Sequence, residues 1–352
     1  MATSNPVLAT LLLLALASVS SSCASNSQSD TRVRIELVPP TDSPPTAAAT
    51  IPNAVLAPET STPAPTRRIT LSAVGDVMLD RSVGERIRSD GPTVVFKGVR
   101  ESLRGADFTV ANLETSIADV GSPRAKGYTF RSPPAAAEAL KDAGIDLVSL
   151  ANNHSLDFGP EALRQTLSLV EAQGILAVGA GVDSASAQAP KFVAINGLHL
   201  AFLGFVDTPS EGPGYQRSTW EAGPGKPGVA WADVDGITRA VKAASAEADL
   251  VIVLLHNGVE GSSEPSSSQR AYAQAAIDAG AALVLGSHPH VLQPVERYRR
   301  GVIAFSLGNF VFDGFDGAAN TSAIFEAVLT PQGVESWRMV PVSIVDGLPI
   351  PK

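Results

Sequence analysis

Four of the five histidines in this chain stand at or just past the end of a short apolar run. Asn153-His154 follows AspLeuValSerLeu (146–150), His256 follows LeuValIleValLeuLeu (250–255), and His288 and His290 follow AlaLeuValLeu (282–285). Asp76 stands in the same relation to the run 69–74, Glu114 to 108–111 and Asn309 to 302–307. Neutral imidazole, carboxylate and amide oxygen together form a donor set for borderline divalent ions such as Zn, Mn or Fe. Taken alone, a histidine at a strand end reads as a hydrogen-bonded structural residue, and an Asp after a Gly as a turn or cap. Six run ends that all carry ligand-type side chains point instead to one shared site. The set is rich enough for two ions about 3.5–4 Å apart, an arrangement that clamps an in-line displacement or activates a water. His288 and His290 are two residues apart, so on extended backbone they would face the same side. His199 lacks this context and reads as structural. Asp207 leads into a Pro/Gly loop and stays outside the set.

The elements that must position these residues follow an α/β pattern, with apolar runs alternating with helix-like stretches. Strands are expected at 69–74, 108–111, 146–150, 174–178, 192–195, 200–206, 250–255, 282–285 and 302–307, with late strands within 324–345. Helices fit 134–143, 160–173, 234–246 and 266–279, and Ser266–Ser268 offer N-caps for the last. Asn196-Gly197 marks a hairpin. Every candidate ligand thus falls at the carboxyl end of an expected strand, the edge where open α/β sheets bind ligands. Lys126 and Arg131 lie in a loop around Tyr128 and Phe130; they read either as holders of an anionic group or as solvated loop residues. The stretch from Thr208 to Val229, with Trp220, reads either as a lid or as a surface excursion.

The chain has 352 residues, 44% hydrophobic, enough for one sizeable core. A net charge of −9 leaves no basic field for nucleic acid, so that partner is excluded. The single cysteine, Cys23, permits no internal disulfide. It follows an apolar run at 7–19 and small residues at 20–22, the plan of a secretory signal (1–23) that ends at a lipidated cysteine. Residues 24–66 are rich in Ser, Thr, Ala and Pro without an aromatic, and are expected to form a disordered tether. The domain proper is expected over 67–346. An exported protein held by a lipid at the outer face of the cell membrane follows from this order.

Several stretches resemble the capsule-synthesis CapA family, which includes PgsA-type components of poly-γ-glutamate production. They are AlaValGlyAspValMetLeuAsp (73–80), AlaAsnLeuGluThr (111–115), TyrThrPheArgSerProPro (128–134) and ValSerLeuAlaAsnAsnHisSerLeuAspPheGly (148–159). LeuHisAsnGlyValGlu (255–260), GlySerHisProHisValLeuGln (286–293) and SerLeuGlyAsnPheValPhe (306–312) complete the set in family order.

The resemblance implies a calcineurin-like metallophosphoesterase-type fold, a two-sheet sandwich flanked by helices. It implies one or two divalent ions held by Asp76, Glu114, Asn153, His256, His288 and His290, with His154 catalytic beside the leaving group. Lys126, Arg131, Glu260 and Asn309 would contact substrate or support the ligands. The first metal-ligand motif has no histidine two residues after Asp76, where Met78 stands, and the tryptophan common in the family after His256 is Asn257 here. The implied role is biosynthesis, release or export of an anionic capsule polymer such as poly-γ-glutamate, through a metal-dependent hydrolase or transferase that uses a metal-bound water. Its substrate would be phosphorylated or carboxylated. The alternative is a non-catalytic polymer-binding or assembly subunit of a membrane capsule-synthesis complex.

Overall fold

The computed structural model describes Glu36–Leu37 and residues 67–352; the expected signal, Cys23 and the rest of the tether lie outside the described residues. Two sheets form the framework. In the first, Ile69–Val77, Phe108–Leu113, Leu147–Ser149 and Leu176–Val178 run parallel, in that order. Antiparallel strands Thr321–Thr330, Gly333–Val345 and Leu348–Pro351 extend it on the other side of Ile69–Val77. In the second, Leu198–Asp207, Leu250–Asn257, Ala281–Ser287 and Gly301–Ala304 run parallel. Lys191–Ile195 pairs antiparallel with Leu198–Asp207, and Glu36–Leu37 pairs antiparallel with Lys191–Ile195.

The strand Leu250–Asn257 shows why these runs are almost wholly apolar. Ile252 and Leu254 belong to the layer between the sheets, while Val251, Val253 and Leu255 pack in the layer that holds the helices. A strand covered on both faces needs apolar residues at every position. Between the sheets, Leu71, Phe108 and Val110 mesh with Leu200, Phe202, Ile252 and Leu283. The rings of Phe108 and Phe202 stack at 5.1 Å. Helices Ala136–Ala143 and Gly159–Ala172 cover the first sheet through Leu140, Leu163 and Val170. Val234–Ser245 and Ser267–Ala279 cover the second through Ile237, Val241, Ala273 and Ile277. The expected two-sheet α/β sandwich flanked by helices is therefore the fold observed.

The Asn196-Gly197 hairpin is present, with φ of 50° and 74° at its two central residues, the double positive φ of a type I′ turn. Ser266 caps its helix through a capping box with Gln269. Helix Arg81–Asp90 escaped the sequence reading because it buries only Val83, Gly84 and Ile87 in an otherwise polar segment. The run 302–307 is not one strand. The chain leaves the second sheet after Ala304 and joins the first as Asn309–Val311, beside Asp76 and Val77.

That crossing stitches the two sheets at their carboxyl edges. Leu307 N–H donates to Gly286 O at 2.9 Å, and Asp76 N–H donates to Gly308 O at 2.8 Å. The approach demands glycine: a Cβ on Gly75 would lie 1.8 Å from Gly308 O, and one on Gly286 would lie 1.9 Å from Phe305 O. Gly75→Ala is expected to destabilise the domain by about 2–4 kcal/mol, since backbone on both sides must move. Chemical denaturation measures this; a midpoint equal to wild type contradicts the account of the seam.

Candidate metal centre

Both sheets end at this seam, and each brings part of the donor set. The first sheet supplies Asp76 on Ile69–Val77, Glu114 directly after Phe108–Leu113, and Asn153 and His154 in the loop after Leu147–Ser149. The second supplies His256 on Leu250–Asn257, and His288 and His290 after Ala281–Ser287. All seven are buried, Asp76 and Glu114 completely.

Glu114 lies at the middle. Its Oε1 is buried without a hydrogen-bond partner. Around that atom stand His290 Nε2 at 3.8 Å, His154 Nε2 at 3.9 Å and His256 Nε2 at 3.9 Å. These separations are too long for hydrogen bonds. Those to His290 and His256 suit donors that each sit about 2.0–2.2 Å from a common ion, with His154 Nε2 standing beside it. One donor atom each from Asp76, Glu114 and His256 all lie within 4.8 Å of one another. His288 Nδ1 is a further buried nitrogen without a partner. Orphaned donors and acceptors in a dry site are costly unless something satisfies them, so the residues present fit a divalent cation.

Neighbours fix the direction of every side chain in this set except His288. Asn112 Nδ2 donates to Asp76 Oδ1 at 2.9 Å and to Glu114 Oε2 at 3.1 Å, and lies 3.2 Å from His256 Nδ1. His256 Nδ1 also meets Ser287 Oγ at 2.9 Å, which leaves Nε2 beside Asn153 Oδ1, also at 2.9 Å. Asn309 Oδ1 lies 2.8 Å from His290 Nδ1 and so turns Nε2 of that ring inward. Asp157 Oδ2 lies 2.7 Å from His154 Nδ1 and does the same for His154. Holding the outer nitrogen in this way selects the tautomer and orientation of a metal-site imidazole.

His288 and His290 do reach one site, though not from extended backbone. Both have positive φ, 96° and 59°, in the turn after the strand. Such backbone is strained for a non-glycine residue and collects at functional sites. The His288 ring lies 4.9 Å from that of His256 and 6.1 Å from that of His290.

Of the residues expected around the ligands, Asn309 is buried against His290, while Glu260 is exposed and its negative charge contributes to the raised pKa of Glu114 and of His290. Arg131 is half-buried, with its guanidinium 4.4 Å over the Phe158 ring. Lys126 turns inward. Its side chain has no exposure and its ammonium lies 3.1 Å from Asp157 Oδ1 and 3.3 Å from Glu211 Oε2. It also donates to Asn153 O and lies 5.0 Å from the rings of Tyr215 and Trp220. Met78 offers no nitrogen: it is buried with Phe130 and Phe312, and its Sδ accepts the Asp80 N–H at 3.1 Å. His199 is exposed, and Asp207 accepts from Trp231 Nε1 and Tyr272 Oη.

Asn112, Asp157, Glu211 and Ser287 were not read from the sequence. Asn112 was within reach, since it stands two residues before Glu114 and so on the same side of extended backbone. Asp157, three residues after His154, was similarly close. Glu211 gives no local signal; it reaches Asn153 Nδ2 at 2.5 Å from the Gly/Pro-rich stretch. That stretch is anchored by fully buried Tyr215 and Trp220 and packs over the centre through Glu211.

Burial and like charge set the protonation states. Burial first, then the Asp76 carboxylate, raises Glu114 well above the usual carboxylate range. Burial, reinforced by neighbouring histidines, drives His256 well below the ordinary imidazole value and His288 down to about 3. His154 is lowered by burial, against the pull of Asp157. For His290 burial also opposes charge, but Asp76, Asn309 and Glu260 outweigh it and the net shift is upward. Neutral imidazoles are the form that binds metal.

The bacterial capsule synthesis protein family PGA_cap matches residues 70–314. PGA biosynthesis protein CapA of Bacillus subtilis (strain 168) is 32% identical over 286 residues, 80% of this chain and 73% of that protein. Capsule biosynthesis protein CapA of Bacillus anthracis is 32% identical over 292 residues, 81% of this chain and 69% of that protein. Among solved structures, TT1561 of Thermus thermophilus aligns with 77% of this chain and 98% of its own at 11% identity and a TM-score of 0.40. That last likeness is too remote to inform the site.

Two outcomes are expected. Elemental analysis of the purified chain should find one or two divalent ions, lost in an Asp76→Ala/His288→Ala double variant; a metal-free wild type after incubation with Mn, Zn and Fe contradicts the site. The second concerns acid. The folded-state pKa of His288 lies below its unfolded value of about 6.5, so its contribution is present above that pH and fades as pH falls from there towards 3. The metal-free chain should therefore lose stability below about pH 6.5, and His288→Asn should flatten that slope. Parallel pH profiles for the two proteins would remove His288 from the explanation.

Proposed function

Because the chain belongs to the bacterial capsule synthesis protein family PGA_cap, we propose that it serves the synthesis, release or export of an anionic capsule polymer such as poly-γ-glutamate. Its centre acts as a metal-dependent hydrolase or transferase on that polymer or a phosphorylated or carboxylated precursor. The observation that carries the catalytic part is the unpartnered Glu114 Oε1 ringed by three imidazole nitrogens. A divalent ion held by Asp76, Glu114, Asn153, His256, His288 and His290 would polarise a substrate oxygen and make water acidic enough to react near neutral pH.

The remaining steps belong to the side chains. Asp157 holds the proton on His154 Nδ1, so Nε2 faces the centre with its lone pair. From there Nε2 can take a proton from the attacking group and return it to a leaving oxygen. Lys126 lies against the other oxygen of Asp157 and opposes rotation of that carboxylate. Asn153 is held between Glu211 and His256, which aims its amide oxygen inward. Export through the segment 1–23, with acyl attachment at Cys23, would place this centre at the outer face of the membrane, where capsule is assembled. Among the described residues no helix is long and apolar enough to cross a membrane.

Met78 favours a second reading. With an apolar cluster where a metallophosphoesterase-type first motif would carry a histidine, the centre could hold polymer for a membrane partner without turning it over. Incubating metal-loaded protein with poly-γ-glutamate separates the two. Catalysis predicts shortened chains, and a loss of about 100-fold or more in His154→Gln with metal content retained. Tight binding with no change in polymer length supports the subunit reading instead.

A further inference from the structure

Outward from His154 the site continues as a column of stacked groups. The Phe130 ring lies 4.2 Å from the His154 ring. The Arg81 guanidinium lies 4.6 Å above Phe130 and 5.5 Å from Tyr128, whose side chain is 66% exposed. Imidazole, phenyl, guanidinium and phenol thus lead from the buried centre to solvent. Phe312 meets Phe130 edge-on at 5.7 Å and His290 at 5.1 Å, and Phe315 lies 4.8 Å from His290, which closes one side of the approach with rings.

We propose that Arg81, lying over the rings of Phe130 and Tyr128, is an anion-binding subsite that receives a carboxylate or phosphate of the substrate beside the metal centre. The proposal rests on the reading of that centre as one that handles an anionic polymer or precursor, and adds where the neighbouring charge is held.

Three features separate Arg81 from an ordinary surface arginine. Its φ is 51°, left-handed backbone that a long side chain adopts only when its surroundings hold it there. Its guanidinium carbon lies over the Phe130 and Tyr128 rings, which holds the group against aromatic faces, and a guanidinium so held can meet an oxyanion through its bidentate fork. Its one acidic neighbour is a weak competitor: Nη1 lies 3.4 Å from Asp313 Oδ1, while Asp313 Oδ2 is already taken by the Ser82 N–H and hydroxyl. Among the described residues the guanidinium has no other hydrogen-bond partner. Gly314 supports the arrangement, because a Cβ there would lie 3.1 Å from Arg81 Nη1 at a φ of 79°. Of the two basic residues singled out in the sequence, Lys126 is committed to Asp157 and Glu211, and Arg131 lies over the Phe158 ring, outside this column.

The test titrates metal-loaded full-length protein with two probes, an oligo-γ-glutamate and inorganic phosphate, by calorimetry. Arg81→Gln should weaken binding by about tenfold or more, with unchanged melting temperature and metal content. Arg81→Lys, which keeps charge but not the stacked fork, should recover only part of the loss. Tyr128→Ala, at an exposed position, should weaken binding about threefold. A loss confined to oligo-γ-glutamate identifies a carboxylate subsite, and a loss confined to phosphate identifies a phosphate subsite. Wild-type affinity for both probes in Arg81→Gln, or no binding of either by wild type, overturns the proposal. Metal content of the same samples reports separately on the centre: Arg81-dependent binding by a chain that holds no metal would retain the subsite and remove the metal reading.

Discussion

Two carboxylates, Asp76 and Glu114, are buried side by side with no exposure. Much of the surrounding architecture answers to that fact. Burying one charge unpaired is costly and two together more so. The protein meets the cost in part with Asn112, whose amide donates to both groups, and in part by a raised Glu114 pKa. The rest is left open, as an unpartnered Oε1 facing three imidazole nitrogens. Such a centre suits a cation, and burial lowers the basicity of His256 and His288, which keeps those two in the form that binds one.

Neither sheet holds this centre alone. The first brings both carboxylates and the Asn153-His154 pair, and the second brings three histidines. Their carboxyl edges are locked together by the crossing segment around Gly308, which bonds to Asp76 on one side while Leu307 bonds to Gly286 on the other. Glycine at 75 and 286 is what permits backbone to approach backbone there. The strained turn of His288 and His290 is held in the same seam, so the energy of packing two sheets maintains ligand geometry that the local chain would not choose.

Outside the ligands, the basic residues divide by depth. Lys126 is wholly enclosed and joins three loops: its own, the one that carries Asn153 and Asp157, and the one that carries Glu211. It fixes the interior. Arg81 stands at the open end of an aromatic column with most of its hydrogen-bonding capacity unspent. The proposed handling of a polyanion would use both, a rigid interior to position ligands and a half-buried cation at the mouth to receive charge.

The sequence by itself determined the α/β class, most strands and helices, the Asn196-Gly197 hairpin and the convergence of four histidines with Asp76 and Glu114. These were legible because they depend on local periodicity and on the residue types just past each apolar run. Tertiary structure alone decided the rest. It ended the expected strand 302–307 at Ala304 and carried the chain into the other sheet as Asn309–Val311, whose pairing partners lie more than two hundred residues upstream. Helix Arg81–Asp90 stayed hidden because it buries one narrow stripe. Lys126 turned from a loop cation into a buried strut because Glu211 and Trp220 fold over it. Arg81 acquired its place only when Phe130 and Tyr128 came beside it. Spacing along a chain can show which residues share a strand end, but which charges are enclosed and which stay free depends on contacts between distant segments.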